Sequence, residues 1–141
     1  MHLEGIYSGT SALAMIGWLV LALAPLQRAS SVAFARILAL LLAVAYLAQF
    51  FFTTETIDGA GFGSLAEITA LFTSPGNVMM GWTHYLAFDL FIGSWEVEDA
   101  GREGIPHWLV LPCLFLTLML GPTGLLLYFM IRVGRRRLFP A

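Results

Sequence analysis

The residues best suited to chemistry in this chain are a histidine and an aspartate set in an otherwise apolar stretch, His84 and Asp89 in the string GWTHYLAFDLFIGSW. Ionisable side chains at membrane depth are costly, and they are kept where they do something. At about 100° per residue, five steps along a helix place the two roughly 140° apart around its axis, so they occupy different stripes. Tyr85, Asp89 and Glu96 fall on one stripe, and His84, Phe88, Phe91 and Trp95 on a second, mainly aromatic one. Two stripes of this kind predict a helix surrounded by neighbours rather than one facing lipid. The structural alternative is that His84 bonds a helix carbonyl and Asp89 bonds Tyr85 or a neighbouring helix. In a chain with 11% charged residues, a functional role for the pair is the stronger reading. His107 lies at a predicted helix start, where a solvated histidine is common, and His2 carries no functional weight.

Much chemistry is excluded. With three histidines in all, a histidine-rich di-iron centre cannot be assembled. A mononuclear metal site from His84, His107 and carboxylates is compatible by residue type, but their predicted depths differ too much to favour it, and the sequence identifies no cofactor. No Ser-His-Asp spacing, Walker loop or dinucleotide fingerprint is present, and Gly59-Ala60-Gly61-Phe62-Gly63 reads as a flexible loop. The lone Cys113, inside an apolar run, has no disulfide partner and is expected to pack. A net charge of −2 gives no basic field for nucleic acid.

The elements that must position His84 and Asp89 follow from hydropathy. With 59% hydrophobic residues and a mean hydropathy of +0.83, the chain holds more apolar surface than a soluble core of its size can hide. Four apolar stretches, about 7–26, 32–52, 78–95 and 107–133, approach the ~20 residues needed to cross a bilayer, and backbone groups in lipid must be bonded internally. The predicted fold is therefore an all-α integral membrane protein, one domain built as a four-transmembrane-helix bundle. The first stretch lacks a basic flank and is too long for a secretory leader, so it reads as a retained helix. The short connection 27–31 forces an antiparallel hairpin. In the long second connection, Leu65, Ile68, Leu71 and Phe72 share one face behind a Ser64/Glu67 capping box, predicting a short interfacial helix. The third connection, 96–106, is dense in charge.

An antiparallel fourth helix sets His107 near Glu96 and brings Met119 to Pro122 to the level of His84. Pro122 has no N–H for the carbonyl of Leu118, which is left as a free acceptor. Gly121 and Gly124 permit close helix approach, and Thr117 and Thr123 offer hydroxyls. A polar pocket around His84, Asp89 and the proline break is the expected site. Four spans place both termini on one side, with Arg132, Arg135, Arg136 and Arg137 against Arg28, Arg36 and Arg102 on the other, a weak bias toward cytoplasmic termini. Arg135 to Arg137 are expected to hold the last helix to anionic headgroups.

The run from Trp82 through His84 and Asp89 to Phe91, then Gly104-Ile105-Pro106-His107, then Gly121-Pro122-Thr123-Gly124, resembles the ABA-deficient-four-like family. The likeness covers about Leu65 to Tyr128; the first two helices agree only in hydrophobic pattern. Plant members of that family are required for making neoxanthin from violaxanthin. The resemblance implies a membrane protein of carotenoid metabolism whose ligand is a xanthophyll or related isoprenoid. The implied reaction opens an epoxide to an allene with no net redox change, and needs an acid at the oxygen and a base for a proton. By the motif, His84 and Asp89 are the catalytic positions, followed by His107, and Trp82, Tyr85, Phe88, Phe91, Trp95 and Pro122 are the expected ligand contacts. The alternatives are a non-catalytic pigment-binding or assembly subunit and, third, a small transporter or channel. The implied partners are membrane lipid, the carotenoid, and either further copies of the chain or other pigment-pathway membrane proteins. With no plastid transit peptide, the expected location is a bacterial inner membrane.

Overall fold

The computed structural model describes residues 3–138, and His2 lies outside them. Among the described residues the chain is all-helical, with six α-helices and no strand: α1 (Leu3–Ala22), α2 (Arg28–Phe52), α3 (Leu65–Leu71), α4 (Pro75–Arg102), α5 (His107–Leu120) and α6 (Pro122–Leu138). By length and composition, α1 and α2 are long and apolar enough to cross a membrane. A 3-10 turn over Ala24–Leu26, with Pro25 in it, folds α2 back on α1 as the short connection predicts. The second connection carries the expected small helix. The Ser64 hydroxyl accepts from the Glu67 N–H at 3.2 Å, and the Glu67 carboxylate takes the Gly63 N–H at 2.9 Å.

The third segment is longer than the hydropathy pattern suggests. Pro75 opens α4, where its missing N–H costs nothing, and the helix runs 28 residues to Arg102. Glu96, Glu98 and Asp99, read from sequence as part of a charged connection, are helical. The physical reason is long-range pairing: Arg36 on α2 reaches Glu98 at 2.8 Å, Arg132 on α6 reaches Asp99 at 2.7 Å, and Glu96 is wholly buried against α5. These charges end no helix because partners distant in sequence accommodate them.

The fourth segment departs most from expectation. It is two helices folded back on each other at Gly121, whose φ of +49° is a left-handed conformation that favours glycine. α5 runs antiparallel to α4 from His107, whose Nε2 donates to the Ala22 carbonyl at 3.0 Å, to Leu118, beside Tyr85. α6 then returns along α4. Tyr128 and Arg132 meet Asp99, Arg136 meets Glu103, and Arg135 donates to the Gly104 carbonyl at 2.9 Å. Gly124 lies so close to α5 that a Cβ there would strike Thr117 and the Cys113 carbonyl. Pro122 takes the first position of α6, so it starts a helix rather than kinking one.

This hairpin corrects the expectation of one span over 107–133. The 14 residues of α5 reach about 21 Å, short of the ~30 Å hydrocarbon core. It also corrects the placement of the termini, because α6 ends where α1 ends and not where α1 begins. All seven arginines (28, 36, 102, 132, 135, 136 and 137) therefore gather at one end of the bundle, while Glu4, Glu55, Asp58 and Glu67 mark the other.

The core forms where α4 meets α1 and α2. Leu90 lies on Gly17, and Gly93 lies under the Trp18 ring, so small residues allow close helix contact. Between α2 and α4, Gln49 and Thr83 bond each other side chain to side chain at 2.9 Å in the buried interior. Asn77 ties the start of α4 to the second connection through Glu55 and Leu71.

Candidate functional site

One face of α4 carries Tyr85, Asp89, Glu96, Asp99 and Glu103, and the α5–α6 hairpin lies over it from Tyr85 to Glu103. The hairpin tip sets the upper limit of that cover. Gly121 is at the Asp89 carboxylate, in contact with both of its oxygens if a Cβ were present. The Tyr85 hydroxyl donates to the Leu118 carbonyl at 2.5 Å, so the acceptor that sequence leaves free at the proline break is satisfied by α4. The same hydroxyl lies beside Asp89.

Asp89 and Glu96 are two helical turns apart on this face. Asp89 Oδ2 and Glu96 Oε2 are both buried without a hydrogen-bond partner among the described residues. Glu96 is fully buried, and its Oε1 accepts from Thr117 at 3.0 Å. Buried carboxyl oxygens are normally satisfied, so two orphaned ones on one face mark the place where this interior is not finished by its own side chains. Closer to the arginine end the carboxylates are fully engaged. Asp99 accepts from Tyr128 at 2.6 Å and from Arg132, and Glu103 accepts from Arg132 at 3.1 Å and from Arg136. At the helix end, hydrogen bonding to Arg136, reinforced by Arg132, holds the Glu103 carboxyl below its ordinary range.

Beyond the hairpin tip, the α4 face is bare. Trp82 stacks on Tyr85 at 5.4 Å between ring centroids, Tyr7 of α1 follows at 5.9 Å, and the Trp82 indole N–H donates to Ser11 at 3.2 Å. Tyr7, Val78 and Trp82 are exposed. The rings line a slot of about 370 Å³ between α1 and the start of α4. Trp82 closes its inner end, and Tyr85, stacked on Trp82, lies beyond it.

His84 is not part of this arrangement. It faces away from Asp89, exposed, with its ring 4.6 Å from Phe88 and 5.6 Å from Tyr46. The second stripe thus looks outward rather than into neighbouring helices, because α6 covers only its lower end, where Trp95 packs on Tyr128 and Phe129. Phe88 and Phe91 border a separate apolar trough toward α2. His107 sits at the arginine end, held to Ala22. Of the sequence candidates, Trp82, Tyr85, Asp89 and the turn before Pro122 come together, and His84, His107, Phe88, Phe91 and Trp95 lie elsewhere.

The residues missed by sequence reasoning are Tyr7, Ser11, Glu96 as a site group, and Tyr128. Glu96 had a signal, seven residues from Asp89 on the same stripe, but it also opens the charged connection, which hid its burial. Tyr128 and Arg132 are spaced i,i+4 opposite Asp99 and Glu103, also i,i+4, a complementarity visible only once the hairpin is known. Cys113 packs as expected, buried, with its thiol toward the Leu109 carbonyl. Among the described residues, no three histidine, cysteine, aspartate or glutamate side chains cluster as metal ligands would.

The family model described as ABA DEFICIENT 4-like matches residues 5–128, which takes in α1 to α5 and the first turns of α6. Neither the curated proteins nor the solved structures contain a match to this chain.

Proposed function

The chain belongs to the ABA DEFICIENT 4-like family, and on that premise we propose that it is a membrane protein of carotenoid metabolism that isomerises a xanthophyll end ring at Asp89. Family membership supports the ligand class. The observation that carries the chemistry is the orphaned, buried Oδ2 of Asp89 at the hairpin tip, one turn beyond Tyr85, whose ring stacks on the Trp82 that borders the slot. Flat rings such as Trp82 and Tyr85 suit a hydrocarbon ring and polyene, and they leave one polar contact to fix its oxygen.

In this reading α1, α2 and α4 cross the bilayer, and α5–α6 is a re-entrant hairpin dipping in from the arginine end. Irregular backbone at membrane depth is tolerated where protein covers it, as α4 covers Gly121 and the Leu118 carbonyl. α4 follows α2 end to end through Arg36–Glu98, Gln49–Thr83 and Glu55–Asn77, so it spans whatever α2 spans. Seven arginines at one end favour a cytoplasmic position for that end and place the start of α1 on the opposite side.

The ring enters laterally along Tyr7 and Trp82. Protonated Asp89 gives its proton to the epoxide oxygen as the C–O bond breaks. The resulting carboxylate takes a proton from the polyene carbon as the new double bond forms, so no electron is gained or lost and the catalyst is regenerated. Tyr85, held by Leu118, fixes the position of Asp89. His84, on the other face, has no role in the step.

The test is expression in carotenoid-producing bacterial hosts with pigments separated by chromatography. A new isomer with wild type, its loss with Asp89→Asn, and its persistence with His84→Ala are expected. An isomer that survives Asp89→Asn sinks the assignment. No new isomer in any host, with unaltered pigment co-purifying, establishes a binding or assembly subunit in place of an enzyme.

A further inference from the structure

A second feature lies on the opposite side of α4, where it packs against α2, and owes nothing to Asp89. At the arginine end this seam opens into a groove of about 530 Å³ bordered by Arg28, Val32 and Arg36 of α2 and by Glu98, Gly101 and Arg102 of α4. Three cations face one anion there. Glu98 is already shared, with Arg36 at 2.8 Å and Arg102 at 3.1 Å. Arg28 is half-buried and makes no hydrogen bond or ion pair among the described residues. Its side chain lies against α4 in the space left by Gly101, where a Cβ would strike it. A partly desolvated guanidinium without an anion is an unfinished interaction, since these groups are buried when paired.

The groove continues into a trough of opposite character. The Arg36 guanidinium sits 5.6 Å above the centre of the Phe91 ring. One turn further along α2 begins a trough of about 230 Å³ with a wholly apolar lining that includes Ala39, Ala43, Ala87, Phe88 and Phe91. Small alanines on α2 create the depression, and the phenylalanines on α4 wall it. A cationic socket and an apolar channel therefore line up along one helix seam, socket at the arginine end and channel toward mid-depth.

We propose that this seam binds one anionic phospholipid, its phosphate on Arg28 and Arg102 and one acyl chain in the trough over Ala43. Guanidinium groups match phosphate oxygens in geometry and charge, and the net positive charge of the socket selects an anionic headgroup over a zwitterionic one. The trough has no polar group for a hydrophilic ligand and requires a hydrocarbon tail. A free phosphate would use the socket and leave the trough without purpose.

The experiment is native mass spectrometry of the detergent-purified full chain titrated with phosphatidylglycerol, phosphatidylcholine or inorganic phosphate. Wild type should retain phosphatidylglycerol at about one-tenth of the phosphatidylcholine concentration needed, a preference worth about 1.4 kcal/mol. The pair Arg28→Gln, Arg102→Gln should abolish the preference, and Arg137→Gln, on α6, should keep it. Equal retention of the two lipids, or a preference that survives the double substitution, overturns the proposal. Full displacement by inorganic phosphate alone overturns the lipid assignment in favour of a simple anion site. Should the double variant misfold, as read by circular dichroism and gel filtration, Ala43→Trp decides. It fills the trough from an exposed position, and undiminished phosphatidylglycerol retention in that variant overturns the proposal equally.

Discussion

Four carboxylates lie on the face of α4 that the hairpin covers, and they divide into two pairs with opposite surroundings. Asp99 and Glu103, at the arginine end, are saturated by Tyr128, Arg132 and Arg136. Asp89 and Glu96, nearer the hairpin tip, meet no arginine, and each keeps a buried oxygen without a partner. The same helix, the same face and the same residue type serve two ends. The lower pair fastens α6 to α4 and so holds the hairpin closed. The upper pair gains nothing for the fold from its charge, which is why it is the better place to look for chemistry. If this division is right, substitutions in the two pairs should have opposite signatures in stability and function.

The largest effect is expected at Asp99. Removing its charge with Asp99→Asn leaves the Arg132 guanidinium, 22% exposed at the side chain, facing a neutral amide, and weakens the bond from Tyr128. Breaking one side of a fully buried pair typically costs about 3–5 kcal/mol, and the loss here should fall at or below the lower end because Glu103 still holds Arg132. The thermal midpoint in detergent should fall by many degrees, and limited proteolysis should cut first near Gly121, where α6 detaches. A loss within the error of the melting curve would mean that the ion pairs do not hold the hairpin, and Gly124 packing on α5 does.

Some of this was open to sequence reasoning. Hydropathy is a property of long windows, so the all-helical class, the α1–α2 hairpin and the capped helix at Leu65 could be read directly. The Leu118 carbonyl freed before Pro122 could be read too, because it depends on one residue's chemistry. The hairpin could not. A window over 107–133 sees one apolar run, and nothing local distinguishes a glycine that kinks a helix from one whose positive φ reverses it. That single backbone angle at Gly121 decides whether the last four arginines join the other three or oppose them. The outward placement of His84 was not legible for a related reason. Its spacing from Asp89 was right and gave two stripes, but which stripe faces neighbours depends on how far α6 reaches, and α6 stops short of it. Glu96 falls on the Asp89 stripe in sequence but also opens the charged connection, and its role as a buried group depends on Thr117, 21 residues away.

A smaller effect, of opposite sign, is expected in the upper pair. Glu96→Gln keeps the Thr117 contact, strands no cation, and replaces an orphaned carboxyl oxygen by an amide. Stability should be unchanged or raised by up to about 1 kcal/mol, in line with the gain when an unpaired buried ionisable group is made neutral. The melting midpoint should hold or rise, while any isomer yield seen with wild type falls. A large drop in midpoint would show that Glu96 is a structural group like Asp99, and the contrast between the pairs would collapse.

The smallest effect is a pH dependence at the lower end of the hairpin. Arg136 and Arg132 hold the Glu103 carboxyl below its ordinary range, with Arg136 the first cause. A carboxylate whose folded value is depressed contributes stability above its unfolded value and loses it as the pH falls through the folded one. Glu103 sits at the end of α4 and its first partner, Arg136, is 59% exposed, so its share is modest. Trp95, packed on Tyr128 and Phe129, reports on the α6 contact. Its fluorescence should be flat from pH 8 to about 5 and change only below that, as Glu103 takes up a proton and α6 loosens. Glu103→Gln should remove most of that acid transition while leaving the neutral-pH spectrum near wild type. A transition that persists unchanged in Glu103→Gln would show that Glu103 is not the group whose protonation loosens α6, and that its ion pairs are not what acid breaks at this end of the hairpin.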